Sequence, residues 1–140
     1  MVAPDGQHVE LAVTLRPGGL VAVARFDGAE LHDENDVFAG FYQAFQFPEW
    51  FGWNWDALSD CLRDLHWLPA DRFLVVIDRA DQALTIDAEE RRLLIRVLRR
   101  AAQSWASPMN DRRPAPIAFR VIFRCPEEAV ARLREEIAAA

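Results

Sequence analysis

The sequence predicts an α/β protein: a small, three-layer-like fold with a mainly parallel three-stranded sheet flanked by helices, plus an N-terminal hairpin strand. Segments with strand character alternate along the chain with segments of helical periodicity, which is typical of α/β layer folds. Residues 73–77 (FLVVI) form an apolar run without alternation, as expected of a central parallel strand covered on both faces. The helical segments carry an apolar stripe along one side, which suits helices that cover a sheet.

A hairpin is predicted near the N-terminus. Residues 9–15 (VELAVTL) and 20–26 (LVAVARF) are rich in β-branched and apolar residues, and the turn sequence RPGG separates them. The second strand would join the parallel sheet, and the first would add an antiparallel edge. Residues 33–47 begin with acids and then repeat apolar residues at intervals of three and four. They predict an amphipathic helix that Pro48 ends.

The remaining elements are predicted from caps and periodicity. A second helix begins at Asn54, which is a good N-cap, and closes before Pro69. The strand over residues 73–77 comes next, and residues 87–105 then form a long helix with a continuous apolar stripe. The last elements are a polar, proline-bearing loop over 108–116, a strand over 117–124 and a helix over 126–139.

The composition limits what kind of protein this is. A chain of 140 residues, of which 51% are hydrophobic, suits one folded domain over 1–140 and argues against intrinsic disorder. No apolar run approaches the length of a membrane span, and the N-terminus lacks the pattern of a secretory signal. We therefore expect a cytoplasmic protein without a membrane partner. Cys61 and Cys125 are too few for a disulfide scaffold or a cysteine zinc site, and we expect buried free thiols, no metal and no cofactor.

Charge is distributed unevenly along the chain. The formal net charge is −6, and residues 27–64 hold nine Asp and Glu against a single cation, Arg63. An acidic region of this kind repels nucleic acid and attracts basic proteins, so no nucleic-acid partner is expected. A solvated acidic surface without a partner would show the same imbalance.

The segment FPEWFGWNWDALSDCLRDLHW, residues 47–67, holds four of the five tryptophans and the strongest candidate site. In a helix that begins at Asn54, the apolar positions face inward and the polar positions face outward. The neighbouring aromatic residues cannot all turn inward, so part of their area should lie exposed beside the acids, as at binding sites. The predicted partner-binding residues are Trp50, Phe51, Trp53, Asn54, Trp55, Asp56, Ser59, Asp60 and Arg63.

This segment resembles the signature of the barstar family of intracellular ribonuclease inhibitors. The matching residues are Pro48, Glu49, two aromatics, Gly52, Asn54, Asp56-Ala57-Leu58 and Asp60-Cys61-Leu62. The order of strands and helices over residues 20–124 is also similar to that of the family. The N-terminal hairpin (about 9–26) and the last helix (about 126–139) look like additions to a single barstar-like domain.

The resemblance implies a mechanism. Barstar-like proteins plug the active site of a basic secreted ribonuclease with this helix and the loop before it, and carboxylates occupy the places of RNA phosphates. Asp60 would be the central anchor against arginines and the catalytic histidine, Asp56 would pair with a further basic group, and Trp50 would pack on that histidine. The chain would then be a non-enzymatic antitoxin or immunity protein, monomeric when free. Its partner would be a basic secreted or effector ribonuclease or a related toxin.

Two positions depart from the family pattern. Ser59 stands where the family type has a tryptophan, and Arg100 falls near an acidic contact of the family. These departures predict a different toxin as partner, or a ribonuclease with a different surface. Arg100 belongs to a basic run on the predicted long helix, which consists of Arg91, Arg92, Arg96, Arg99 and Arg100.

Two other functions stay open at the level of sequence. Asp56 and Asp60 are spaced as a hydrolase or a metal site could use them. Against this, the chain has no glycine-rich phosphate loop and no HExxH-like zinc motif, and its three histidines are scattered. A non-enzymatic module that binds and regulates a host protein would show the same surface as an inhibitor.

Overall fold

The computed structural model describes residues 2–4, 15–16, 19–107 and 119–140. Strands and helices alternate along this part of the chain. The strands are β1 (Val2–Pro4), β2 (Leu15–Arg16), β3 (Gly19–Asp27), β4 (Arg72–Asp78) and β5 (Phe119–Cys125). The helices are α1 (Glu34–Ala44), α2 (Trp55–Asp64), α3 (Ala88–Ala106) and α4 (Val130–Ala139).

The strands form one sheet with the order β1-β5-β4-β3-β2. β3, β4 and β5 run parallel, with Ala24 opposite Val75 and Val76 opposite Ile122. β1 adds a parallel strand beside β5, and β2 adds an antiparallel strand beside β3. The predicted α/β class, with a parallel core of three strands flanked by helices, is confirmed.

The described residues include two short edge strands, β1 and β2. Of the predicted first hairpin strand, only Leu15 lies among the described residues. Leu15 belongs to β2 and pairs with Leu20 of β3. Residues 9–14 lie outside the described residues, as does the predicted loop over 108–116. β1 is not predicted from the sequence, because three residues are too few to display a period of two.

The main core lies between one face of the sheet and the helices. Phe26 of β3, Ile77 of β4 and Phe123 of β5 point to this face and join a single buried cluster with side chains of all four helices. On the opposite face of β4, Val76 is also buried, at 2% exposure. The centre of β4 is therefore buried on both faces, which agrees with the apolar run over residues 73–77.

α1 begins at the predicted start of the first helix, after Asp33, and α2 begins at the predicted cap, Asn54. The Asp33 carboxylate accepts a hydrogen bond from the Asp36 N–H, and Asn54 Oδ1 accepts one from the Ala57 N–H at 2.8 Å. α1 ends at Ala44, earlier than the predicted stop at Pro48, because Gln46 has a φ of 50° that a right-handed helix does not accommodate.

α3 fixes the orientation of α2. Trp105, near the end of α3, is 1% exposed, and its Nε1–H donates to the carbonyl of Leu62 at 2.8 Å. Leu58, Cys61 and Leu62 bury one side of α2 and leave the opposite side facing outward, and the Trp105 hydrogen bond helps to hold the helix there.

Two arginines attach α4 to α3. Arg91 forms an ion pair with Glu136 at 2.6 Å, and only 14% of the Arg91 side chain is exposed. Arg99 donates to the carbonyls of Ile137 and Ala138, at the C-terminal end of α4 where the helix dipole favours a cation. The last helix, predicted over residues 126–139, is anchored to the rest of the fold by these contacts.

Cys61 and Cys125 are buried and free, as predicted. None of the described helices is long and apolar enough to cross a membrane. Across the same residues, no group of three or more His, Cys, Asp or Glu side chains is placed to hold a metal ion.

Glu90, in the first turn of α3, lies near Glu34 at the start of α1. Burial, and after it the charge of Glu34, raise the pKa of Glu90 above its usual value. The folded state therefore binds this proton more tightly than the unfolded chain does. Ionisation of Glu90 consequently lowers stability as the pH rises from the usual Glu value of about 4.3 through the raised pKa.

We expect Glu90→Gln to raise the unfolding temperature at pH 7 and to change it little at about pH 3.5, because the amide carries no charge to desolvate. Glu89→Gln is the matched control, and we expect it to lower the unfolding temperature at pH 7. The hydrogen bond from Arg92 lowers the pKa of Glu89, so the charged form of Glu89 stabilises the fold at neutral pH. Thermal unfolding at the two pH values measures both variants, and a lower unfolding temperature for Glu90→Gln at pH 7 would contradict this account.

Candidate functional site

The four aromatic residues predicted to bind a partner divide into two pairs. Trp50 and Trp53 are 68% and 41% exposed, whereas Phe51 is 7% exposed and Trp55 is half-buried. Phe51 and Trp55 both pack edge-on against Phe38 of α1, with ring centroids 6.1 and 5.0 Å apart. Trp50 and Trp53 therefore supply the exposed aromatic surface, and Phe51 supports it from the core.

Trp53 is held in place by α1. Its φ of 54° lies in the left-handed region, which costs an L-residue about 1–2 kcal/mol. Its indole Nε1–H donates to Asn35 Oδ1 at 2.6 Å, and its ring lies against Tyr42 and Phe51 with centroids 5.4 and 5.3 Å away. Asn35 is missed by sequence reasoning, because it lies on the preceding helix and no spacing pattern joins it to Trp53.

Trp50 stands beside a second aromatic residue that the sequence prediction does not include. The Trp50 ring is edge-on to Trp67 at 6.3 Å, and Trp67 Nε1–H donates to the Phe45 carbonyl at 2.9 Å. His66 lies against Trp67 at 5.3 Å and forms a hydrogen bond with Asp64. His66 is thus an exposed histidine close to the candidate surface.

The outward side of α2 carries the two candidate acids. Asp56 is exposed in the first turn, where the helix dipole stabilises a carboxylate, and 73% of the Asp60 side chain is exposed. Arg63 donates from Nη2 to Asp60 Oδ1 at 2.8 Å and from Nε to the Ser59 carbonyl at 3.3 Å. The Asp60–Arg63 pair offsets part of the repulsion between the two acids. All four of these residues lie on the side of α2 that the sequence predicts.

Cys61 lies on the inner side of the same helix. It is 2% exposed, and burial, followed by the charges of Asp64 and Asp60, raises the pKa of its thiol to about 11. The thiol is therefore neutral at pH 7 and behaves as a small apolar core side chain.

A protein-family model described as Barstar (barnase inhibitor) matches residues 21–136. The chain belongs to the Barstar family. The match spans the parallel core strands, the first three helices and most of α4, while the first 20 residues lie outside it. No curated protein matches the chain significantly.

In this Barstar family member, three arginines of the predicted basic run are occupied within the fold. Arg91 and Arg92 form ion pairs with glutamates of the chain, and Arg99 donates to carbonyls of α4. Arg100 is exposed and forms no hydrogen bond or ion pair with any residue in the described part of the chain. The part of the basic run that is free to meet a partner is therefore narrower than the run of five arginines suggests.

Proposed function

We propose that this Barstar family chain is an inhibitor that acts in the cytoplasm as an antitoxin or immunity protein. It plugs the active site of a basic ribonuclease or related toxin with the outward side of α2 and the aromatic loop before it. The observation that carries the proposal is the exposure of Trp50 and Trp53 next to Asp56 and Asp60 on a helix of this family.

The chemistry of this surface suits a cationic active site. Carboxylates that face arginines or a protonated histidine form short, charge-assisted hydrogen bonds. Asp60 takes the place of an RNA phosphate among such cations, and Asp56 binds a further cation. The acids of residues 27–64 add a negative field that speeds the encounter with a basic protein. Trp50 adds apolar area that keeps water away from the ion pairs.

Arg63 competes with the partner for Asp60 in the free chain. The two side chains form an exposed pair three residues apart on α2, and such a pair contributes only about 0–1 kcal/mol. Ion pairs between Asp60 and several desolvated cations of a partner are stronger than this contact. Replacing Arg63 by the partner therefore costs little free energy. Arg63 keeps the carboxylate in an outward orientation without blocking it.

The surface supports binding better than catalysis. A hydrolase places its acids in a cleft that excludes water, whereas Asp60 stands on an exposed helix side and is already paired with Arg63. A regulatory module with a host partner would use the same surface, and only the nature of the captured partner separates the two functions.

Affinity capture from the native host tests the proposal. Immobilised wild-type chain and Asp60→Ala are exposed to the same extract and culture medium, and proteins retained only by the wild type are assayed for RNA degradation. A retained ribonuclease that the chain inhibits in a one-to-one ratio supports the proposal. A retained protein without nuclease activity would identify a regulatory module instead. The purified chain itself should not degrade RNA.

We expect the chain to inhibit its own toxin far better than it inhibits barnase, because Ser59 and Arg100 change the rim of the surface. Like charges that meet at an interface repel by several kcal/mol, so these positions decide between partners. The double variant Ser59→Trp, Arg100→Glu should bring the inhibition constant for barnase closer to that for the chain's own toxin. Inhibition assays with both enzymes measure the two constants. The two single variants serve as controls. Tight inhibition of barnase by the wild type, unchanged in the double variant, would show that these positions do not set specificity.

A further inference from the structure

Trp53 differs from the other aromatic residues of the surface in being both exposed and fixed. We propose that Trp53, positioned by Asn35, is a rigid platform on which the partner places the guanidinium group of an arginine. This inference rests on the proposed function, because it assigns a role within the same binding surface. It extends that surface from α2 to the first turn of α1.

The contacts of Trp53 leave the ring little freedom. Its one polar atom is engaged by Asn35 at 2.6 Å, and the rings of Tyr42 and Phe51 support it from the protein side. A side chain that is already ordered loses little conformational entropy when a partner packs on it. The exposed 41% of Trp53 is therefore a preorganised contact area.

Stability alone does not account for a tryptophan at this position. A φ of 54° is accessible to glycine without steric cost, and bulky residues adopt it rarely. The indole is also too exposed to contribute fully to the core. A strained and exposed tryptophan is instead characteristic of residues retained for recognition.

The first turns of α1 and α2, between which Trp53 is held, contain acids that favour a cation over an anion. Asn35, which binds the indole, is flanked in the chain by Glu34 and Asp36, both in the acidic first turn of α1. On the other side, Trp53 is followed by the N-cap of α2 and by Asp56. A guanidinium group stacks on an aromatic face and pairs with carboxylates at the same time, which the compact ammonium group of lysine does less well.

The role of Asn35 is to position the ring. The indole nitrogen is only a donor, so any acceptor oxygen at residue 35 serves this purpose. Asn35→Asp should therefore keep the platform, whereas Asn35→Ala should release the ring and leave the fold intact, since the lost hydrogen bond is exposed.

Nuclear magnetic resonance of the full chain, labelled at the tryptophan indoles, tests the platform without knowledge of the partner. The probes are a blocked tri-arginine peptide and a blocked tri-lysine peptide, titrated at low salt. We expect the Trp53 indole resonance to respond to the arginine peptide with an affinity about two- to fivefold higher than to the lysine peptide. The buried Trp105 indole should not respond to either peptide.

Three variants distinguish recognition from a structural role. Trp53→Gly removes the ring and its indole signal, so binding of the two peptides to this variant is measured by calorimetric titration, and the preference for arginine should be lost. Asn35→Ala should reduce the preference for arginine, and Asn35→Asp should keep it as in the wild type. Equal responses to the two peptides, or an unchanged preference in Trp53→Gly, would overturn the inference.

The ribonuclease obtained by affinity capture separates this inference from the proposed function. Trp53→Gly should weaken inhibition of that enzyme by about tenfold or more. If the wild type inhibits the enzyme and Trp53→Gly inhibits it equally well, the platform is wrong and the proposed function stands. If the captured partner has no nuclease activity and the peptide preference is observed, the platform stands and the proposed function is wrong.

Discussion

Asp60→Ala is expected to weaken binding of the partner ribonuclease by more than about 2 kcal/mol while leaving the fold intact. In the free chain the Asp60 side chain is 73% exposed, and its ion pair with Arg63 contributes at most about 1 kcal/mol to folding. In the proposed complex, the same substitution would leave cations of the enzyme buried without a counter-charge. The cost of leaving a buried charge unpaired is much larger than the value of a surface pair.

Glu135→Ala is the matched control for this prediction. It removes one exposed carboxylate from α4, outside the candidate surface, so it changes the net charge equally. Calorimetric titration of the ribonuclease with both variants gives the affinities, and urea unfolding gives the stabilities. If Asp60→Ala binds as tightly as Glu135→Ala, the outward side of α2 is not the binding surface.

Trp105→Ala should lower the free energy of unfolding by about 3–5 kcal/mol, which is the usual cost of deleting a large buried side chain. The ring is 1% exposed and packs on Phe73, with ring centroids 5.4 Å apart. Its loss also leaves the Leu62 carbonyl without the indole hydrogen bond, inside the core. Both losses weaken the contact between α3 and α2.

Trp50→Ala is the control of the same chemical type. Because Trp50 is 68% exposed, we expect stability within about 0.5 kcal/mol of the wild type and a loss of partner binding instead. Urea unfolding of the two variants separates the tryptophan that supports the fold from the exposed one that we propose to bind the partner. Equal destabilisation by the two substitutions would contradict the division of the tryptophans between core and surface.

The helix that carries the acids could be predicted from sequence because its signals are local. Asn54 caps it, Leu58 and Leu62 define its buried side, and the outward position of Asp60 follows from the helical period. The family signature lies in the same short segment. These features depend on neighbours within a few residues, and the structure places them as expected.

The support of the surface could not be predicted, because it depends on contacts between distant parts of the chain. The Trp53–Asn35 hydrogen bond joins residues 18 positions apart, and the burial of Phe51 depends on where Phe38 of α1 lies. The prediction of Phe51 as a partner contact stays untested, although the structure gives this ring a place in the core. Likewise, the hydrogen bond from Arg99 to the Ile137 carbonyl joins residues 38 positions apart, so it could be predicted only if the position of α4 were known.

The burial of Cys61 has a consequence that concerns neither affinity nor folding, because it protects this thiol from oxidants. Peroxides and disulfides react with the thiolate form of an accessible cysteine. Because burial raises its pKa to about 11 and leaves it 2% exposed, Cys61 offers almost no accessible thiolate at pH 7. Oxidative conditions that modify proteins with exposed thiols should therefore leave Cys61, and with it the packing behind the acidic side of α2, unchanged.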